Sequence, residues 1–227
     1  MGNGLLHIIR HAFIATSVAM CLPMGLVRAQ AFHYPALQLP TVSTRDYTGA
    51  VAGGAGSTAL FQWREGWTSN RHLQLDVGLS DPKGSATILM FAGGAVAQQL
   101  TRASGLQPLD VLITGGAGAG FGNGFTLVRF PIGVSLGHSF ELDNDMAVTP
   151  YVHPRASVDL CSSCGTSGGK KSEVSLSFDL GASFQVSKEF GIQLAGSFSG
   201  SDLVGGNDTF SVGMSWTPGA LKREQKS

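Results

Sequence analysis

Charge is scarce in this chain, and lysine scarcer still. Charged residues make up 13% of the 227, about half the ~25% of a typical soluble domain. The six lysines (Lys83, Lys170, Lys171, Lys188, Lys222 and Lys226) fall in expected turns, loops or the tail, and none interrupts an alternating run. A soluble β-sandwich sets Lys, Glu and Thr along the outward faces of its strands and keeps its edges charged. This chain sets Ser, Gly, Gln and an occasional Asp there instead. Basic and acidic side chains balance at 15 each, so nothing here attracts nucleic acid.

A membrane-spanning helix is also missing. The one apolar run, FIATSVAMCLPMGLV at residues 13–27, is shorter than the ~20 residues a spanning helix needs, and it contains Pro23. Arg10 and two histidines precede it, and Arg28-Ala29-Gln30-Ala31 follows. A short charged region, an apolar region and small residues at a cleavage site are the three parts of a secretory signal peptide, so residues 1–29 are expected to be removed, with cleavage after Ala29 or Ala31. Cys21 offers a lipoprotein alternative, against which Met20 stands as a bulky residue where that signal prefers a small one. Removal takes Arg10 and Arg28 and leaves 13 basic against 15 acidic side chains. The mature chain is then either secreted and soluble or a β-barrel, the two classes open to a chain without a spanning helix.

What the chain does have is alternation. In VSLSFDLGASFQV, residues 174–186, Val174, Leu176, Phe178, Leu180, Ala182, Phe184 and Val186 share one face. Ser175, Ser177, Asp179, Gly181, Ser183 and Gln185 share the other, the period of a β-strand. Similar runs begin near residue 48 and continue to residue 217. They predict an all-β fold of 8–10 antiparallel strands in up-and-down order, with residues 30–47 as a periplasmic lead-in and 218–227 as a tail. Several runs exceed the five or six residues usual in soluble domains and suit strands that cross a bilayer at a tilt. Pro150 and Pro154 each remove a ladder donor from one such strand. Asp143-Asn144-Asp145 predicts a tight turn. The glycine-rich TGGAGAG, residues 114–120, lacks the Gly-Lys-Ser/Thr ending and the following helix of a phosphate loop.

The export signal, the alternating strands over nearly all of the mature chain, and a last strand with Phe210 and Trp216 on its apolar face resemble the small bacterial outer-membrane β-barrel proteins. The chain departs from that family by continuing as TPGALKREQKS past the terminal aromatic residue. The resemblance implies an up-and-down antiparallel transmembrane β-barrel in the outer membrane. Its partners would be outer-membrane lipid and the barrel-assembly machinery, and its role structural or envelope-related, with small-solute passage as a further role. Phe178, Leu180, Phe184, Phe198 and Trp216 would then face lipid. The rival reading is a soluble secreted barrel that binds an apolar ligand, in which Phe178 and Phe184 line a cavity.

Asp76, Arg129, His153, Arg155, Asp159, Asp179 and Gln185 share the opposite parity. Charges there are costly unless paired, so they are expected to form an ionic network that fills the lumen, with a ligand site or selective pore as the functional alternative. Cys161 and Cys164, in CSSC, are expected to form a disulfide in an oxidising compartment. No metal or cofactor motif is present. A lipid-acting or peptide-cleaving enzyme is the remaining class, and His138, Ser139 and Glu141 are its candidates. His138 and Ser139 point to opposite faces of a strand, however, so no catalytic residue is expected.

Overall fold

The computed structural model describes residues 34, 36–54, 56–82, 88–122, 125–162, 171–201 and 208–218. The expected signal peptide, Cys164 and most of the C-terminal tail lie outside the described residues. Ten long strands form the wall: β1 (Arg45–Gly53), β2 (Gly56–Thr68), β3 (Arg71–Pro82), β4 (Leu89–Thr101), β5 (Asp110–Gly122), β6 (Phe125–Gly137), β8 (Ala147–Ser162), β9 (Lys171–Gln185), β10 (Phe190–Ser199) and β11 (Thr209–Trp216). A two-residue strand, β7 (Phe140–Glu141), pairs with the start of β8. Each long strand pairs antiparallel with its neighbours in sequence, and β1 pairs with β11, so the sheet closes on itself. The first expected run is the pair β1 and β2. Lys171 opens β9 at the rim instead of lying in a loop.

Alternation along each strand sorts the side chains between two environments. Phe178 is 41% exposed and Phe184 38% on the outside, while Asp159 and His153 are fully buried inside. Tyr47 stacks on Trp216 and Phe61 where β1 begins and β11 ends, which places an aromatic girdle at that end of the barrel. It will be called the near end. The turns after β2 and β9 lie there too, as does the one at residues 143–145, closed by Leu142 N–H on Met146 O at 2.8 Å, in which Asn144 and Asp145 hold φ values of 63° and 60°, the left-handed region that Asn and Asp tolerate.

The prolines leave a visible trace in the ladder. Between β6 and β8 the pairing runs from Gly133↔Arg155 to Leu136↔Val152 in one register but lapses in between, beside Pro154. Between β5 and β6 it lapses from Gly115 to Gly118, opposite Pro131. Each proline lacks the N–H that a rung requires, and register is retained across both gaps.

The stretch expected as a periplasmic lead-in, residues 30–47, overlaps the first strand. β1 begins at Arg45, and the residues before it turn into the barrel: Tyr34, Ala36, Leu37 and Gln38 are all buried within the lumen. There Tyr34, Ala36 and Leu37 pack with Leu60, Phe91, Ala95 and Tyr151, with Leu39 against their edge. The apolar content of the lumen is thus supplied in good part by a segment that belongs to no strand.

Candidate functional site in the lumen

One side of the lumen carries a network of paired charges. Arg129 on β6 and Asp159 on β8 are directly opposite in the ladder, so a planar guanidinium and a carboxylate meet in parallel: Nε donates to Oδ1 at 2.8 Å and Nη2 to Oδ2 at 2.9 Å. Ser175 donates to the same Oδ2 at 3.0 Å. This bidentate form is the strong version of the ion pair, and burial demands it, because a lone carboxylate without water is costly.

A second cluster sits further along β8, beyond the buried Ser157. Asp179 accepts from Arg155 Nη2 at 3.1 Å and from the Ser197 hydroxyl, and its Oδ2 lies 3.1 Å from His153 Nδ1. The other ring nitrogen of His153, Nε2, is 3.0 Å from Thr114 Oγ1. Thr114 stands on β5 and His153 on β8, with β6 between them. The imidazole crosses β6 at Gly133, where a Cβ would press into the ring and stand 2.9 Å from Arg155 Cβ. A glycine here is a window through which one side chain ties together three strands.

Hydroxyl, imidazole and carboxylate follow one another in the order of a hydrolase triad. Thr114 is 3% exposed and His153 fully buried, and Asp179 is also committed to Arg155 and Ser197. The sequence candidates for catalysis are elsewhere: His138 packs edge-on against Phe140 with centroids 4.7 Å apart, and Ser139 accepts from Thr149 at 3.0 Å.

The other side of the lumen is built around the N-terminal segment. Gln62 donates to Ala36 O at 2.7 Å, Arg64 to Leu37 O, Ser135 to Gln38 O at 2.6 Å and Gln99 to Pro40 O at 2.9 Å. In the reverse direction, Ala36 N–H reaches Asp76 Oδ2 at 3.5 Å, Val42 N–H reaches Gln99 Oε1 at 3.0 Å and Ser43 N–H reaches His72 Nδ1 at 3.3 Å. Gln38 donates to Gln74 Oε1 at 2.7 Å, and Gln74 to Asp76 Oδ2 at 2.8 Å. Tyr34 donates to Gly94 O.

Of the residues expected in one lumen network, Arg129 with Asp159 and His153 with Arg155 and Asp179 come together. Asp76 lies in the lumen but serves the N-terminal segment. Gln185 is exposed at the near mouth, beside a cavity of about 330 Å³ that it lines with Arg45, Asp110 and Gln193. Cys161 is buried on β8, and its expected partner Cys164 lies outside the described residues. Sequence reasoning missed Thr114, Ser175, Ser197 and the whole cradle of the N-terminal segment. One signal was present: residues 29–44 contain no charged side chain, although an exposed linker is ordinarily polar and charged.

A closed antiparallel ladder, polar within and apolar without, defines a transmembrane β-barrel of the outer membrane. The outward positions of Phe178, Leu180, Phe184, Phe198 and Trp216, all 38% exposed or more, together with a polar lumen, overturn the soluble reading in which Phe178 and Phe184 line a cavity. No protein-family model and no curated protein matches the sequence. Among solved structures the chain is similar to the KdgM porin, at 9% identity over 76% of this chain and 99% of that one, with a TM-score of 0.41. It is similar to the NanC porin at 10% identity over 77% and 100%, TM-score 0.41, and to LpxR from Salmonella typhimurium at 9% over 81% and 78%, TM-score 0.43. The membrane assignment rests on the chain's own ladder and outer face.

Proposed function

We propose that this protein is an outer-membrane barrel with a structural role in the envelope, whose lumen is closed at rest, and that it is not an enzyme. The observation that supports this reading is the filling of the lumen from both sides, by the Arg129–Asp159 and Arg155–Asp179–His153 pairs on one and by the N-terminal segment on the other. Barrels of about eight strands are filled by their own side chains, and open aqueous channels belong to much larger ones. Ten strands with glycine and alanine facing inward on β4 and β5 leave more space than the wall alone fills, and the segment takes up that space. The near end, where the chain enters and leaves the wall, faces the periplasm in this reading, and the connection carrying CSSC faces outward. The signal peptide delivers the chain to the assembly machinery.

The test is fractionation of native cells, followed by gel migration with and without heating. The mature chain is expected in the detergent-extracted outer membrane, migrating faster unheated than heated. Recovery of the whole mature chain in the soluble periplasmic fraction refutes the reading.

A further inference from the structure

The segment in the lumen is held in an unusual manner for part of a barrel. It contributes no rung to the closed sheet. The wall grips it with side chains, and these address mainly its backbone: the carbonyls of Ala36, Leu37, Gln38 and Pro40 accept, and the amides of Ala36, Val42 and Ser43 donate. Main-chain recognition by a cradle of Gln, Arg, Asp and Ser is how a groove binds a polypeptide.

The wall is also shaped to the occupant. A Cβ at Gly93 would lie 2.5–2.7 Å from the Tyr34 ring, and one at Gly116 would collide with the Tyr34 hydroxyl as well as with the neighbouring Gly94 carbonyl. Leu37 holds a φ of 50°, a conformation that L residues other than Asn and Asp seldom adopt, and Arg64 clasps its carbonyl.

From these two independent observations, the backbone cradle and the glycine pocket, we propose that the β2–β6 side of the lumen is a binding groove for a polypeptide segment. It is occupied in cis by the protein's own N-terminal segment, and vacating it opens a route for small polar solutes. The proposal rests on the outer-membrane barrel reading. Leaving the groove breaks no strand-to-strand rung and one main-chain bond to the wall, from Gly66 N–H to Thr44 O at 2.6 Å, and the polar side chains left behind exchange a peptide for water. The exit is at the near mouth, where Leu39 and Val42 of the segment already line the 330 Å³ cavity.

The test compares the full-length mature protein with its Tyr34→Ala/Ala36→Asp variant in planar bilayers. The first substitution empties the glycine pocket, and the second sets a carboxylate beside Asp76. Wild type is expected to stay closed with rare, brief openings, and the variant to show an open probability about tenfold higher or more, the scale set by losing a buried ring and its hydrogen bond. A synthetic peptide of residues 34–44, added on the near side, is expected to close the variant again, and a scrambled peptide to leave it open.

The proposal is overturned if the variant, shown to be folded by heat-modifiable migration, conducts no more than wild type, or if the native-sequence peptide does nothing to an open variant. It is overturned equally if the variant fails to fold while wild type folds, since the segment would then be a fixed part of the core. Failure of the barrel reading is distinguishable, because wild type itself would neither shift on gels nor enter the bilayer.

Discussion

Replacing Arg129 by alanine isolates the most complete ion pair in the lumen. In the native protein the Asp159 carboxylate is fully buried and receives two guanidinium hydrogen bonds at 2.8 and 2.9 Å and one from Ser175 at 3.0 Å. The substitution leaves that buried charge with the Ser175 hydroxyl as its remaining hydrogen-bond donor among those described and with Arg155 as the nearby cation. Breaking a buried pair from one side costs about 3–5 kcal/mol, or roughly two to three and a half orders of magnitude in the folded-to-unfolded ratio. With a urea dependence of about 2 kcal/mol per molar, the unfolding midpoint falls by about 1.5–2.5 M. Urea titration of the refolded barrel in detergent, followed by tryptophan fluorescence, measures this directly. The double variant Arg129→Met/Asp159→Leu removes both charges together and is expected to lie near wild type or above it, since buried pairs replaced by apolar groups are often neutral or stabilising. A midpoint for Arg129→Ala within about 0.5 M of wild type refutes the reasoning, because it means that water reaches Asp159 and the lumen is open there.

Further outcomes follow from the wall. Phe178→Arg, at the centre of β9 on the outer face, is expected to cost about 2–4 kcal/mol on folding into vesicles, against about 0–1 for Trp216→Arg in the aromatic girdle; equal costs at the two sites would remove the case for a lipid belt. Gly133→Val closes the window that His153 uses and is expected to destabilise the barrel by about 1–3 kcal/mol. A further change of Thr114→Val should add little to it, and full additivity of the two in a thermal melt would show that no bridge crosses β6. Pairing of Cys161 with Cys164 predicts that neither thiol reacts with an alkylating reagent until the protein is reduced; alkylation of the unreduced, unfolded chain would show the thiols to be free.

Parity was the legible part of this protein. A two-residue period assigns every strand residue to one face, so Arg129, His153, Arg155, Asp159 and Asp179 could be placed inside, and Phe178, Phe184 and Trp216 outside, from the sequence. Partnership was less legible. That Arg129 meets Asp159 depends on the register of β6 against β8, and that His153 reaches Thr114 depends on a missing side chain on the strand between them. Neither is local in sequence. The N-terminal segment escaped for a different reason. Its backbone is satisfied by side chains from four strands, not by a repeating ladder, so it has no period to detect, and Leu37 turns it further away from any regular pattern. Its lack of charge was the trace it left.

The uneven height of the wall bears on the bilayer around it. β8 and β9 have 16 and 15 residues, whereas β10 and β11 have 10 and 8. At about 3.4 Å per residue and a tilt of about 40°, β8 rises some 40 Å along the membrane normal and β11 only about 20 Å. The hydrocarbon layer is thicker than the second figure, so lipids beside the β1–β11 seam must compress while those beside β8 need not. Thinning costs a fraction of a kcal/mol per Å of mismatch, which makes the seam the side from which the membrane itself is most easily deformed and gives the barrel a preferred face toward thinner regions of its bilayer.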